Sequence, residues 1–225
     1  MIEFSKIFNG LVDQISNEIT VAIQDNLIYY TCNTKWARKG KTVTGFDIDG
    51  FPQTSIITDV VYNTSITLKT GLIVDTLILN APFDITGTKI ATNLEWSKAS
   101  NLASNKLPLV WLLDTFDEKE EGLESALERT VDCKIFFLDE TDIKNYYTAD
   151  HKAQVVQPMI ALKDEFLKVI KKNRNYKTIE KVDIKYFSRF GTESAQGFEK
   201  NILDANLSGL LLSVTLQKFK ENCKC

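Results

Sequence analysis

The chain has 225 residues, of which 44% are hydrophobic and 25% charged, and its formal net charge is −3. This length can bury a large core, and the composition is that of an ordinary globular protein. The negative balance argues against a protein whose main task is to grip nucleic acid through a broad basic face, although a local basic patch is compatible with it. No apolar run approaches the roughly 18 residues of a membrane span.

The N-terminal segment predicts one helix followed by two short strands. Residues 3–19 carry apolar side chains every four residues, which favours an amphipathic helix packed on a sheet. Residues 20–32 are strand-like, with a turn at Asp25-Asn26. The apolar repeat of the helix consists of Ile7, Leu11, Ile15 and Ile19.

Residues 33–104 differ in composition from the rest of the chain. They are rich in Thr, Ile, Val, Asn and Gly, and turn signals separate their short extended runs. Because β-branched residues suit a pleated surface, we predict an inserted β-rich module of four to six strands. The extended runs are 55–62, 65–68, 72–79 and 86–96.

The next segment combines an apolar strand with a dense acidic run. Residues 108–113 predict a buried strand, and residues 114–129 predict a short solvated helix or loop because like charges repel one another. A second interpretation of the run is a divalent-metal or acid/base carboxylate site, which needs carboxylates converging from separate elements. A third is an electrostatic docking surface. The acidic residues are Asp114, Asp117, Glu118, Glu120, Glu121, Glu124 and Glu128.

In the last third of the chain, the sequence predicts a strand, a helix, a second strand, a loop and a closing strand, in that order. Residues 133–138 form the first strand, and apolar spacing predicts a long helix over residues 150–172. The alternating residues 181–190 predict a strand with Val182, Ile184 and Tyr186 on one face. Residues 191–206 look like a loop, and a half-buried closing strand spans residues 207–216.

These elements predict an α+β protein with a mixed or antiparallel sheet packed by the N-terminal helix and one long helix. The core domain is expected to comprise residues 1–32 plus 105–225, with residues 33–104 inserted as the β-rich module.

Few residues favour catalysis or metal binding. The single histidine, His151, lies near a helix start, and Cys223 and Cys225 on a polar tail do not make a closed metal site. The four cysteines are scattered as expected of free thiols in a reducing compartment, and the N-terminus does not resemble a signal peptide. We therefore expect no catalytic residues, cofactor or metal.

One basic-aromatic cluster is the best candidate for contact with DNA or with an acidic partner surface. It surrounds a tryptophan in the predicted module, and such clusters combine phosphate attraction with stacking. The alternative is a mobile, solvated loop. The cluster consists of Lys35, Trp36, Arg38, Lys39 and Lys41.

The layout from residue 105 onward resembles a phage protein family. The layout begins with the apolar segment Lys106-Leu107-Pro108-Leu109-Val110-Trp111-Leu112-Leu113, followed by an acidic spacer and the strand at 133–138. The helix that contains Val156-Gln157-Pro158-Met159 comes next, and the strand at 207–216 ends the layout. Together with the N-terminal helix, this order is similar to that of the tail-completion, tail-terminator or neck (head–tail connector) proteins of tailed bacteriophages.

The resemblance implies a structural virion protein with no enzymatic activity. Members of that group are small α+β proteins that form homo-oligomeric rings at the head–tail junction. Expected partners are copies of the chain itself, other neck, tail and portal proteins, and DNA passing through the ring, but no membrane. The implied location is the virion, assembled in the host cytoplasm.

Two other functions remain open on the residues alone. The acidic run suggests a metal-dependent hydrolase that uses Asp114, Asp117 or Glu121 with a distant carboxylate. The composition of residues 33–104 suggests an adaptor whose β module binds carbohydrate or protein.

Overall fold

A computed structural model describes most of the chain. The described residues are 3–88, 95–97, 106–113, 117–121, 128–142, 145, 147–173, 176–178, 182–190, 192–195, 198–201 and 205–218. They form a mixed α+β structure with mostly antiparallel sheets, an N-terminal helix and a long helix, which confirms the predicted fold class.

Helix α1 (Glu3–Val12) is shorter than the predicted helix over residues 3–19. The amides of Gln14 and Ile15 bond the carbonyls of Leu11 and Val12, and these short-range bonds tighten the chain after the last helical turn. Ile15 and Ile19 are buried as predicted, but outside the helix. The four-residue apolar repeat therefore extends beyond the helix that it predicts.

The first sheet has seven strands in the order β1-β7-β4-β5-β6-β3-β2. Its two edge strands are consecutive in the chain, and between them the amides of Val21 and Ala22 donate to Asp75 O at 2.9 Å and Tyr30 O at 2.8 Å. One continuous segment therefore joins both edges and closes the sheet into a barrel. The strands are β1 (Glu18–Thr20), β2 (Ile23–Asp25), β3 (Ile28–Tyr30), β4 (Thr42–Phe46), β5 (Pro52–Val61), β6 (Ser65–Leu68) and β7 (Thr76–Leu79).

The β-rich unit therefore has different boundaries from the predicted insertion at residues 33–104. Strands β1 to β3 belong to the barrel because β3 pairs with β6 and β1 pairs with β7. Residues 83–87, in contrast, join the second sheet through parallel pairing with residues 109–113. Composition locates a β-rich stretch, but it does not show which distant strands pair.

The second sheet centres on two long antiparallel strands, β11 and β16. Strands β9 and β10 lie along the other side of β11, β8 lies beyond β9, and β12 and β13 pair with β16. A separate hairpin, β14–β15, lies within the predicted loop 191–206. The strands are β8 (Phe83–Gly87), β9 (Leu109–Leu113), β10 (Asp117–Glu121), β11 (Glu128–Glu140), β12 (Tyr176–Thr178), β13 (Asp183–Phe190), β14 (Thr192–Ala195), β15 (Phe198–Asn201) and β16 (Leu207–Lys218).

Part of the acidic run is a strand, and the prediction of a helix or loop is wrong there. Strand β10 pairs with residues 128–132 at the start of β11. Charged side chains are common on strands at sheet edges, where they discourage pairing with other chains. Residues 114–116 and 122–127 lie outside the described residues.

The long helix begins at Thr148 and ends at Lys172, close to the predicted 150–172. It consists of α2 (Thr148–His151), a π-helical turn (Lys152–Val156) and α3 (Gln157–Lys172). The π-helical turn ends just before Pro158, which has no N–H to donate and sits in the first turn of α3.

Both faces of the second sheet are buried, which explains its continuous apolar strands. On one face, Phe166 of α3 contacts Phe8 and Phe137, each at 5.8 Å between ring centroids. On the other face, Phe136 stacks with Trp111 at 5.0 Å. The first face shares one core with the barrel, so the two sheets are joined by apolar packing. Among the described helices, none is long and apolar enough to cross a membrane.

Candidate functional site

The predicted basic-aromatic cluster is mostly turned into the protein. Lys35, Trp36 and Arg38 are buried, Lys41 is half-buried, and Lys39 is exposed. The structure brings these residues together in the loop between β3 and β4. Lys35, Trp36 and Arg38 each have a polar contact within the chain.

Lys35 and Trp36 attach this loop to neighbouring segments. Lys35 Nζ donates to Ser16 O at 2.7 Å and to Ser16 Oγ at 2.9 Å, and Trp36 Nε1 donates to Asn80 O at 3.1 Å. Burial lowers the pKa of Lys35, against an opposing attraction from Glu165. Lys35 thus attaches the loop to the chain just before β1, and Trp36 attaches it to the chain just after β7.

Arg38 joins the barrel loop to the end of strand β11. Its Nη1 lies 3.1 Å from Asp139 Oδ1, and its Nη2 lies 3.4 Å from Glu140 Oε2. Nη1 also donates to the Glu140 carbonyl. Only 10% of the Arg38 side chain and 1% of the Asp139 side chain are exposed. This buried ion pair connects two units that are far apart in sequence.

Burial dominates the electrostatics of this ion pair. It raises the pKa of Asp139, although the positive charges of Arg38 and Lys41 oppose the rise. Burial likewise lowers the pKa of Lys41, against the attraction of Asp139. The Asp139 carboxylate contacts Arg38 and accepts a hydrogen bond from the Glu140 amide at 2.8 Å. It therefore stabilises the junction between the barrel and the second sheet.

Residues 117–121 of the acidic run lie along one strand, β10. Asp117 and Glu121 stand at opposite ends of β10, with Cα atoms about 13 Å apart by the rise of a strand. Within the described ranges no three potential ligands of the His, Cys, Asp or Glu type are grouped for a metal ion. Asp114, the third residue of the hydrolase hypothesis, lies outside these ranges.

His151 ends helix α2 and is partly buried. Burial lowers its pKa, which favours the neutral imidazole. Among the described residues, its Nε2 has no hydrogen-bond partner.

Cys32 and Cys133 differ sharply in accessibility, which predicts their reactivity. Cys32 is exposed, whereas Cys133 is buried in the core, and burial raises the pKa of its thiol to about 12. Because the thiolate is the reactive form, iodoacetamide should modify Cys32 in the native protein and Cys133 only after denaturation. Peptide mass mapping measures this difference. Rapid native labelling of Cys133 would contradict the buried position of β11.

The hairpin between β4 and β5 has an ordered turn. Asp47 Oδ1 accepts the amides of Asp49 at 3.1 Å and Phe51 at 2.8 Å, and Asp47 Oδ2 accepts Gln53 Nε2 at 3.0 Å. Gly50 has a φ of +82°, which suits glycine in a tight turn. The Asp47 carboxylate is therefore used to shape the turn.

This turn displays large apolar side chains to solvent. Ile48 is 100% exposed and Phe51 is 68% exposed, and Ile73 opposite them is 89% exposed. A groove of about 340 Å³ runs between residues 21–24, 46–48 and 73–75. We call the exposed apolar residues around it the hairpin patch, which consists of Ile23, Phe46, Ile48, Phe51 and Ile73.

The surroundings of the hairpin patch are acidic. Asp25, Asp49 and Asp75 are exposed beside it, and the residues that line the groove include no lysine or arginine. An apolar surface with a charged rim is the usual anatomy of a protein–protein interface.

A second exposed surface lies on strand β13. This strand pairs with β16 on one side, and no other strand pairs with it among the described residues. Ile184 and Tyr186 pair with Leu212 and Leu210 of the buried face, yet Tyr186 is 53% exposed. We call the exposed side chains of Ile184 and Tyr186 the edge patch.

The edge patch lies on the strand predicted over residues 181–190, which the structure describes as β13. The predicted alternation is present, but the helices that cover this face leave Ile184 and Tyr186 exposed. Lys185 is exposed on the same strand. Helix α3, which packs on this face, ends with the exposed residues Lys168, Lys171 and Lys172.

The sequence contained a signal for the hairpin patch that composition alone did not reveal. Turns are usually built from polar residues together with Gly and Pro, but this one reads Phe46-Asp47-Ile48-Asp49-Gly50-Phe51. Apolar residues at a turn cannot be buried by the hairpin itself. They therefore mark a surface that another molecule can cover.

Compared with family models, curated proteins and solved structures, the chain shows no match.

Proposed function

We propose that this chain is a structural virion protein of a tailed bacteriophage that forms a homo-oligomeric ring at the head–tail junction. In this role it joins head to tail and lines the channel through which DNA passes. The proposal assigns it no catalytic activity and no cofactor. Its partners are copies of itself and the neighbouring neck, tail and portal proteins.

The observation that carries this proposal is the hairpin patch. An ordered turn holds Ile48 and Phe51 in solvent, although burying such side chains yields roughly 1.5–3 kcal/mol each. A surface of this kind is typical of proteins that associate with another protein. The exposed apolar side chains Ile184 and Tyr186 on β13 add a second surface on which chains can associate.

The charge of the chain also supports a channel role. A net charge of −3 disfavours tight binding to the DNA backbone, so DNA can slide past the ring. The inward orientation of Lys35 and Arg38 removes two cations from the surface. Of the predicted DNA contacts, Lys39 is exposed, and its contact with DNA stays a prediction.

Native mass spectrometry and electron microscopy of the purified protein test the proposal. We expect a closed ring of identical subunits, and we expect mass spectrometry of purified phage particles to detect the chain. A protein that is strictly monomeric and never enters particles would contradict it. A monomer that does enter particles is compatible, because the ring can then form on a partner.

A further inference from the structure

We infer that the hairpin patch binds an extended segment of a different protein, in which apolar residues alternate with lysine or arginine. This inference rests on the proposed role of the patch in association, and it names the chemistry of the partner. The patch presents apolar side chains and negative charge to solvent, and the partner segment matches both properties.

Three segments that are far apart in the sequence converge on the hairpin patch. Residues 21–24, 46–48 and 73–75 line the groove between them. Each segment contributes one isoleucine whose side chain is largely exposed: Ile23, Ile48 and Ile73. Because the burial of exposed apolar side chains favours association, a segment that fills this groove carries apolar residues at its centre.

Apolar and acidic side chains alternate along two of these segments. Ile23 and Asp25 of β2 are two residues apart, so both side chains lie on the same face of the strand. Ile73 and Asp75 have the same spacing and are both exposed, on either side of a buried valine. The Val21 amide donates to Asp75 O at 2.9 Å, which holds the two segments side by side.

An extended partner segment reproduces this spacing. In an extended chain, residues two positions apart lie about 6.6 Å from each other and on the same side. A segment with apolar and basic residues at alternate positions of one face can therefore place both kinds of side chain against the matching groups of the hairpin patch.

The charge of the hairpin patch is of one sign. Residues 21–25, 46–51 and 73–75 contain the aspartates Asp25, Asp47, Asp49 and Asp75, and they contain no lysine, arginine or histidine. The Asp47 carboxylate accepts hydrogen bonds within the turn, whereas the other three aspartates are exposed. Since opposite charges select a partner and its orientation, the bound segment carries lysine or arginine.

The same charge argues against two other occupants of the groove. Docking of two hairpin patches on one another would bring their aspartates together, and like-charge repulsion opposes that contact. A nucleic-acid backbone is negatively charged as well, so it is repelled for the same reason. A basic segment of a different protein avoids both penalties.

The hairpin patch is preformed. Hydrogen bonds from the amides of Asp49 and Phe51 to Asp47 Oδ1 fix the turn that carries Ile48. Gly45 allows the chain before β7 to pack closely on β4, because an added Cβ there would lie 2.7 Å from Cγ1 of the buried valine between Ile73 and Asp75. A surface that is ordered before binding loses less conformational freedom when the partner docks.

Two synthetic peptides test the chemistry of the partner. The first, Ser-Lys-Thr-Ile-Ser-Lys-Thr-Ile-Ser-Lys, alternates lysine and isoleucine two positions apart, and the second has glutamate in place of each lysine. In fluorescence polarisation with the full chain at low salt, we expect the lysine peptide to bind with a dissociation constant below about 0.5 mM, and the glutamate peptide at least about tenfold more weakly. Equal binding of the two peptides, or no binding of the lysine peptide in this range, would overturn the inference.

Substitutions in the chain test where the lysine peptide binds. The double variant Asp25→Asn/Asp75→Asn and the variant Ile48→Ser should each weaken its binding about tenfold. The matched controls are Asp59→Asn and Val61→Ser, which remove the same kinds of exposed group at the opposite end of β5 and should leave binding unchanged. Equal losses in the variants and the controls would show that the peptide does not bind at the hairpin patch.

The outcomes separate this inference from the proposed function. A wild-type protein that forms rings and enters particles, but shows no preference for the lysine peptide, contradicts the inference while the proposed function stands. A protein that binds the lysine peptide, but is strictly monomeric and never enters particles, has the opposite meaning. Loss of rings in Ile48→Ser would assign the hairpin patch to a second copy of the chain and overturn the inference, provided that circular dichroism shows a folded variant.

Discussion

Replacing Asp139 by alanine is expected to lower the free energy of unfolding by about 3–5 kcal/mol. The variant leaves the Arg38 guanidinium buried at the junction between barrel and sheet, where its nearest remaining carboxylate is the half-exposed Glu140 at 3.4 Å. Arginine cannot release its proton to escape burial, so the folded state keeps a buried charge that has lost its buried carboxylate partner. Urea unfolding followed by circular dichroism measures the change.

The control for this prediction is an exposed ion pair. Lys168 lies 2.7 Å from Glu165 and is 59% exposed, so Lys168→Ala should change stability by less than about 1 kcal/mol. The double variant Arg38→Met/Asp139→Leu should lose less stability than Asp139→Ala alone, because apolar replacement removes both charges together. Additive losses from the two positions would show that the ion pair does not couple them.

Gly209→Ala is expected to cost about 3 kcal/mol or more, since two penalties combine at one position. Gly209 has a φ of +152°, a conformation that residues with a Cβ rarely adopt. An added Cβ would lie 2.0 Å from the Phe137 carbonyl oxygen and 3.1 Å from Leu138 Cα. These neighbours are backbone atoms of β11, so the clash separates the two central strands of the second sheet.

Gly10→Ala is the matched control. Gly10 lies in α1, has a negative φ, and an added Cβ would meet nothing within 4 Å. The substitution should raise stability by about 0.5–1 kcal/mol, because alanine loses less conformational freedom in a helix than glycine does. Thermal unfolding of both variants measures the contrast. A Gly209→Ala protein as stable as the wild type would contradict the close approach of β16 to β11.

Local patterns predicted most of the helices and long strands. The long helix and the strands at 133–138 and 207–216 follow from apolar spacing that neighbouring residues alone determine. The barrel boundaries were not predicted, because strand β3 pairs with the distant strand β6 as well as with its chain neighbour β2. Strand β10 was missed as well, because its charged sequence has no apolar alternation and its pairing with β11 defines it.

The basic-aromatic cluster shows why site residues were harder to predict than elements. Lysine and arginine are usually exposed, so a run of them favours a solvated or DNA-binding loop. The carboxylates that form ion pairs with Arg38 lie about a hundred residues further along the chain. Burial of a charged residue depends on such distant partners, and local sequence does not contain them.

By itself, the sequence determined the fold class, the long helix and the central strands of the second sheet, because hydrophobic periodicity depends on residues close together in the chain. The tertiary structure alone decided three features: closure of the barrel by residues 18–25, burial of the Arg38–Asp139 ion pair and exposure of the hairpin patch. Each feature depends on which segments pack against one another in the folded chain. Those segments are far apart in the sequence, so local patterns do not reveal their contacts.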